Sequence, residues 1–341
     1  SFPTRRSSDL TTSNVTLTAI WNVAAPGTPG TPTVSAGDGN ATITVVAPSS
    51  GGAPTSYTVT ASPGGATCTV ISPATSCTIT GLTNGTSYSF STVANNATGS
   101  SSGSASSASV SPAGKPGVPT SVAATIGNGS ATVSLTPPTD TGGPAITSYT
   151  MTASPGGATC TVNAPATSCS ISPLNNGTSY TFSATAFNGV ARSDTSTASA
   201  VVTPATTPGS PTITSASSSS SGSTTVNFSA PASNGGSAIT GYTITSNPGG
   251  FTCTAAANAT SCAVSGLTDG VAYTFTAVAT NAIGNSSASS ASASVTSAGA
   301  PSAPTSVTTT VADGSSVVSV SGASANGSAI TGYTVQTYDG T

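Results

Sequence analysis

One heptapeptide constrains what this chain can become. Ser-Pro-Gly-Gly-Ala-Thr-Cys runs from Ser62 to Cys68 and again from Ser154 to Cys160, and the variant Asn-Pro-Gly-Gly-Phe-Thr-Cys runs from Asn247 to Cys253, at offsets of 92 and 93 residues. Tyr57, Tyr149, Tyr242 and Tyr333 keep the same phase, each a few residues after a loop of small residues (Gly51-Gly52, Gly142-Gly143, Gly235-Gly236, Asn326-Gly327). A period this long exceeds any solenoid turn and suits a self-contained domain. Length alone, 341 residues, would suggest about two domains. The repeat replaces that count with three full units, 26–114, 115–206 and 207–299, and a fourth, 300–341, that stops early.

Within each unit the apolar residues alternate. Ala41-Thr-Ile-Thr-Val45 and Tyr88-Ser-Phe90 put every second side chain on one face, the period of a half-buried strand. In the first unit a Pro-rich lead (Pro26 to Pro32) enters Thr33-Val34-Ser35, Gly37-Asp38-Gly39 turns the chain, and Ile43 and Val45 point one way along a second strand. Tyr57 and Val59 mark a third strand, the segments around Cys68 and Cys77 a fourth and fifth, and Tyr88 and Phe90 a long sixth. The Ser/Ala stretch ending at Val110 reads as a seventh, weakly apolar edge strand. Strands spaced about 10 residues apart, with turn residues between them, predict an all-β chain of sandwiches, each of two antiparallel sheets. Composition alone favours a different object: 129 Ser and Thr with 38 Gly and 24 Pro would suit a disordered stalk. Such a stalk has no reason to place Val, Ile, Tyr and Phe at period two.

The chain has no His and no Glu, four Lys and Arg, and seven Asp, for a net charge of −3. A Ser-His-Asp triad, a His-ligated metal or a Glu general acid cannot be built from these residues. Asp38, Asp140, Asp194, Asp269, Asp313 and Asp339 fall in turns and loops, where Asp bonds local backbone. No two of them are close in sequence, so neither a catalytic carboxylate pair nor a calcium loop is encoded. The expectation is a protein that is not an enzyme, with no catalytic residue, no cofactor and no metal. There is no basic stripe for nucleic acid, and no apolar run approaches the ~18 residues of a membrane span. Neither nucleic acid nor membrane insertion is expected.

Six Cys fall as one Cys-x8-Cys per full unit: Cys68 with Cys77, Cys160 with Cys169, Cys253 with Cys262. The even count and the repeat phase favour these three pairings over the other fourteen connectivities, with buried free thiols as the alternative. Pairing implies an oxidising setting, and so an extracellular protein, secreted or attached to a cell surface.

Leu82-x5-Tyr88, Leu174-x5-Tyr180 and Leu267-x5-Tyr273 are each followed by Phe at +2, Ala at +6 and Asn at +8 (Asn96, Asn188, Asn281). This pattern resembles the signature between the fifth and sixth strands of fibronectin type III domains, over roughly residues 26–341. The resemblance implies tandem immunoglobulin-like sandwiches of a bacterial secreted or cell-surface protein, arranged as beads on a string. It also implies that Tyr88, Tyr180 and Tyr273 form tyrosine corners, with the ring in the core and the hydroxyl bonded to upstream backbone. One feature departs from the family: the slot on the second strand that usually holds Trp reads Val45, Leu135, Phe228 and Val320, which implies a lighter core. Arg192-Ser193-Asp194 lies where the family sometimes carries an integrin-binding tripeptide, but its middle residue is Ser, and a solvated loop is the better reading. Residues 11–25, with Asn14 to Trp21, resemble the closing strand of the repeat found in Listeria and Bacteroides surface proteins. Residues 1–10 resemble a translated sequencing adapter.

The linkers around Pro112 to Pro119, Pro204 to Pro211 and Pro301 to Pro304 are short and Pro-rich, so successive domains should form a jointed, semi-rigid and monomeric rod. Its reach is on the order of 100 Å for three domains. The leading expectation is a structural spacer or stalk that presents a distal module. The alternatives are an adhesin-type module that binds polysaccharide or a host surface protein, and a spacer within a secreted carbohydrate-active enzyme. One feature is left without an explanation: almost no charged residues guard the sheet edges. Dense hydroxyls, Pro or glycans could each substitute.

Overall fold

The computed structural model describes residues 24–338. The adapter-like segment, most of the preceding module and Asp339 lie outside the described residues. Among the described residues every regular element is a strand. The first repeat forms β1 (Gly30–Gly37), β2 (Asn40–Val46), β3 (Ser56–Ser62), β4 (Thr67–Ile71), β5 (Ser76–Thr80), β6 (Ser89–Asn96) and the two-residue β7 (Gly99–Ser100). They pair as β1-β2-β5 and β4-β3-β6-β7. The second repeat forms β8 (Thr120–Gly127), β9 (Ser130–Thr136), β10 (Ser148–Ser154), β11 (Thr159–Asn163), β12 (Ser168–Ile171) and β13 (Thr181–Phe187), in sheets β12-β9-β8 and β11-β10-β13. The third forms β14 (Thr212–Ser220), β15 (Ser223–Ser229), β16 (Ile239–Asn247), β17 (Thr252–Ala256), β18 (Ser261–Ser265), β19 (Ala272–Asn281) and β20 (Val295–Thr296). Its sheets are β14-β15-β18 and β17-β16-β19-β20. Among the described residues beyond 300 a single hairpin follows, β21 (Ser306–Ala312) with β22 (Ser315–Ser321).

The alternation in sequence becomes an inward and an outward face. Ala41, Ile43 and Val45 of β2 meet Tyr57, Val59 and Ala61 of β3 and Phe90 and Ala94 of β6 in the first core. The third core repeats the arrangement around Val226, Phe228, Ile244 and Phe275. The slot that lacks Trp is filled by buried Val45, Leu135 and Phe228, and Phe228 alone recovers a ring contact, 4.8 Å between centroids with Tyr242. The turn after the first strand needs a left-handed residue, and Gly39, Gly129, Gly222 and Gly314 supply it at φ between +59° and +68°.

The seventh edge is not the strand that its sequence suggested. Ser101, Ser104 and Ser107 run beside β6, and each donates its N–H to a β6 carbonyl, those of Ala94, Thr92 and Phe90, at 2.9 Å. The return bond comes from the side chain: the N–H groups of Ala94, Thr92 and Phe90 donate to the three Ser Oγ atoms at 2.9–3.1 Å. Ser193, Ser196 and Ser199 do the same for Ala186, Ala184 and Phe182. Ser286, Ser289 and Ser292 do it for Ala279, Ala277 and Phe275. Every third residue of the segment therefore meets every second residue of the strand. Two strand residues span ~6.6 Å, so three segment residues share that length and the backbone contracts. Its own carbonyl is carried out of reach of the strand, and a hydroxyl takes the carbonyl's place.

Candidate functional site: the joints between repeats

The residues between repeats are fixed by hydrogen bonds on both sides. At the first joint Gly85 N–H donates to Pro112 O at 2.8 Å, while Gly114 N–H donates to Gly142 O at 2.9 Å and Gly117 N–H to Asp140 O at 2.9 Å. The second joint repeats this with Gly177 to Pro204, Thr206 to Gly235 and Gly209 to Ser233. The third does so with Gly270 to Ser297, Gly299 to Asn326 and Ser302 to Ser324. Ala113 donates its N–H back to Gly37 O at 3.1 Å and Ala298 back to Ser218 Oγ at 3.0 Å, so the backward and forward bonds fall on adjacent residues, while at the second joint Ala205 stands between Pro204 and Thr206. That spacing leaves no length for a flexible-coil linker. By contacts the chain divides into two compact units, one of residues up to 117 with 138–147 and 186–194, the other of the rest. The first joint lies wholly in the former and the other two wholly in the latter.

A buried Asn is the hub of the first joint and of the second. Asn188 donates through Nδ2 to Gly114 O at 2.9 Å and Thr141 O at 2.8 Å, and its Oδ1 accepts from the N–H groups of Val190 and Ala191. Asn281 donates to Thr206 O and Asn234 O and accepts from Ile283 and Gly284. Asn96 donates to Ala24 O at the entry to the first repeat. One side chain thus holds the linker, the loop after the second strand and the turn after the sixth. Glycine permits the close approach: a Cβ on Gly143 would lie 2.7 Å from Gly85 N, and Gly236 stands the same way against Gly177.

Polar pins tie the turn after the first strand to the turn before the sixth. Asn84 bonds Gly39 N–H and Asp38, Asn176 bonds Gly129 N–H and Asn128, and Asp269 bonds Gly222 N–H and Ser221. A side chain on Gly114 or Gly299 would run into the carboxylate of Asp38 or Asp269. The Ser221 hydroxyl, the Gly222 N–H and the Ser297 hydroxyl together hold the Asp269 carboxyl below its ordinary value. A depressed folded-state value means that this contribution is present above the unfolded carboxylate value, near ~4, and is lost as pH falls through the folded one. Thermal midpoints recorded below that value should therefore fall more steeply for the parent chain than for Asp269→Asn, and identical slopes would count against the pin. Burial pushes the Tyr149 hydroxyl up.

Cys68–Cys77, Cys160–Cys169 and Cys253–Cys262 are disulfides, each joining an edge strand of one sheet to an edge strand of the other (β4 to β5, β11 to β12, β17 to β18). The hydroxyls of Tyr88, Tyr180 and Tyr273 accept from the N–H of Thr83, Asn175 and Thr268 at 3.0–3.1 Å, five residues upstream, with their rings in the core. In Arg192-Ser193-Asp194 the two charged residues are exposed, as a solvated loop requires, and the middle one is not. Ser193 is buried as the first serine of its segment, Asp194 pairs with Lys115 at 2.6 Å, and the Arg192 guanidinium lies 5.7 Å over the Phe187 ring. The described Asp do not converge, and among the described residues no three of His, Cys, Asp and Glu cluster. The Asn hubs were visible in sequence only as the last letter of a motif.

No curated protein matches this chain. Among solved structures, the crystal structure of chicken CNTN1 FN1-FN3 domains is similar at 18% identity, over 80% of this chain and 99% of that one, with a TM-score of 0.34. The model of the fibronectin type III domain matches residues 27–110, 117–202 and 209–296, which is most of the chain and all three sandwiches. The chain therefore belongs to the fibronectin type III family, with three such domains in tandem.

Proposed function

We propose that this chain is a non-catalytic spacer of an extracellular protein, secreted or surface-attached, which holds a distal module at a set distance and orientation. The observation that carries this reading is the joint: backward and forward hydrogen bonds no more than two residues apart, recurring in phase, with facing glycines and a buried Asn hub at the first and second. A connection that served only to tether would not need any of these. Disulfides within each domain suit an oxidising compartment, and bacterial origin remains part of the proposal. The chain acts as a monomer and needs no nucleic acid or membrane contact. Polysaccharide binding would call for exposed rings. Among the described residues the strongly exposed rings are Tyr333 and Tyr338, outside the three sandwiches.

Small-angle scattering on the whole chain tests the proposal. The parent should give a maximum dimension on the order of 100 Å or more, with a narrow distance distribution. Gly143→Val with Gly236→Val, which places side chains against the preceding domain, should broaden that distribution without changing the circular dichroism. A compact parent, or a double variant that scatters like the parent, would defeat the spacer reading and leave the adhesin-type module as the better one.

A further inference from the structure

Four Lys and Arg in the whole chain leave the sheet edges without the charged side chains that usually keep open β-edges apart. Uncharged devices occupy those edges instead. The first strand of every sandwich is bulged: β1 between Gly30 and Thr33, β8 between Thr120 and Ala123, and β14 at two places, between Ile213 and Ser215 and between Ser218 and Ser220. On one side of each sandwich the two edge strands are bonded to each other through their cysteines. The remaining edge, beside β6, β13 and β19, takes the serine segment.

A regular strand at that position would satisfy its neighbour and expose its own row of N–H and C=O groups at the β repeat. The serine segment satisfies the neighbour without doing so. From Ser101 to Val110 it spends nine residues against the six from Tyr88 to Ala94, because Val110 meets Tyr88 and Ser101 meets Ala94. The inward serine uses both its N–H and its Oγ on the strand, and its hydroxyl proton closes on the carbonyl of the next residue. Ser101 bonds Ser102 O, Ser196 bonds Thr197 O and Ser289 bonds Ser290 O, all at 2.8–2.9 Å. The backbone left facing solvent has lost one acceptor per step and is out of register with any incoming strand.

We propose that the three-residue serine segment is an edge seal: it completes the last strand of the sheet while presenting a backbone that a second copy of this chain cannot extend by strand addition. The β21–β22 hairpin supplies a contrast. It runs in unbroken register from Ser306 opposite Ser321 to Ala312 opposite Ser315, with Val307, Val311 and Val317 exposed and none of the three devices. Association is therefore read as the difference from the parent chain, in which that hairpin is also present.

The test removes the extra residues. Deleting Ala288, Ala291 and Ser294 from the full chain brings Ser286, Ser289, Ser292 and Val295 to a spacing of two opposite β19, which creates an ordinary edge strand. Sedimentation velocity should show this variant associating at concentrations at least about tenfold below those the parent needs, with parent-like circular dichroism. In the undeleted chain, Ser289→Ala should speed exchange of the Ala277 amide at least about tenfold while leaving association at the parent's level, since the contracted backbone remains. A folded deletion variant no more associative than the parent would overturn the proposal, as would Ser289→Ala that associates. Deleting Ala291 alone restores one step and should move association in the same direction. If neither deletion folds, the extra residues are required by the sandwich itself, and the seal is overturned in favour of a purely structural role.

Discussion

Phe275→Ala should lower the stability of the third domain by about 3–5 kcal/mol, the usual result of emptying a buried aromatic site. Phe275 is fully buried at the centre of a core whose other members are one Leu, one Ile, a few Val and Ala and the rings of Phe228, Tyr242 and Tyr273. No Trp backs it, and small side chains on stiff strands cannot collapse into the space it leaves. A domain of this size has about 5–15 kcal/mol in total, so the loss is a large part of what is available. Calorimetry of the full chain should show one transition falling by more than about 12 °C, at about 4–8 °C per kcal/mol. The transitions of the first two domains should stay in place, because each sandwich closes its own core. A common downward shift of all transitions would show that the joints couple the domains more strongly than their separate cores divide them.

Replacing Cys68 and Cys77 together by Ala should cost the first domain about 2.5–3 kcal/mol, the chain-entropy value for a closed loop of this length. The bond spans nine residues in sequence and joins β4 to β5, strands of opposite sheets that share no ladder. Without it, that side of the sandwich keeps the buried side chains Val70 and Ile79 and the bonds of the connecting turn, Ser72 N–H to Thr55 O and Val45 N–H to Thr75 O. Melting of the double variant should separate the first domain from the other two by about 10–20 °C, whereas reducing the parent should lower all three. A separation of only a few degrees would mean that the packing between β4 and β5 already restrains the loop in the unfolded chain.

Much of the fold was legible because its signals are local or periodic. The Pro-Gly-Gly repeat gave the modular plan, and alternation in segments such as Ala41 to Val45 fixed which side chains face inward, since a strand has only two faces. The seventh segment differs from the strand expected of it for a physical reason. Its Ser-x-x-Ser-x-x-Ser spacing from Ser101, Ser193 and Ser286 has neither the period of a strand nor that of a helix, so only its position after the sixth strand suggests an edge. The signal that could have identified it is the recurrence of that triplet in phase, three times.

The modular plan, the strand faces and the lack of His and Glu are readable from the chain alone, because composition and period survive without knowledge of what lies across the sheet. Only in the folded chain do Asn188 and Asn281 clamp the first and second joints, does Ser193 turn into an edge between exposed Arg192 and Asp194, and does a three-residue repeat pair with a two-residue one. Each of those roles depends on hydrogen-bond partners distant in the chain, such as Asn188 with Gly114. A polar side chain carries no mark of its partner until folding brings the two within about 3 Å.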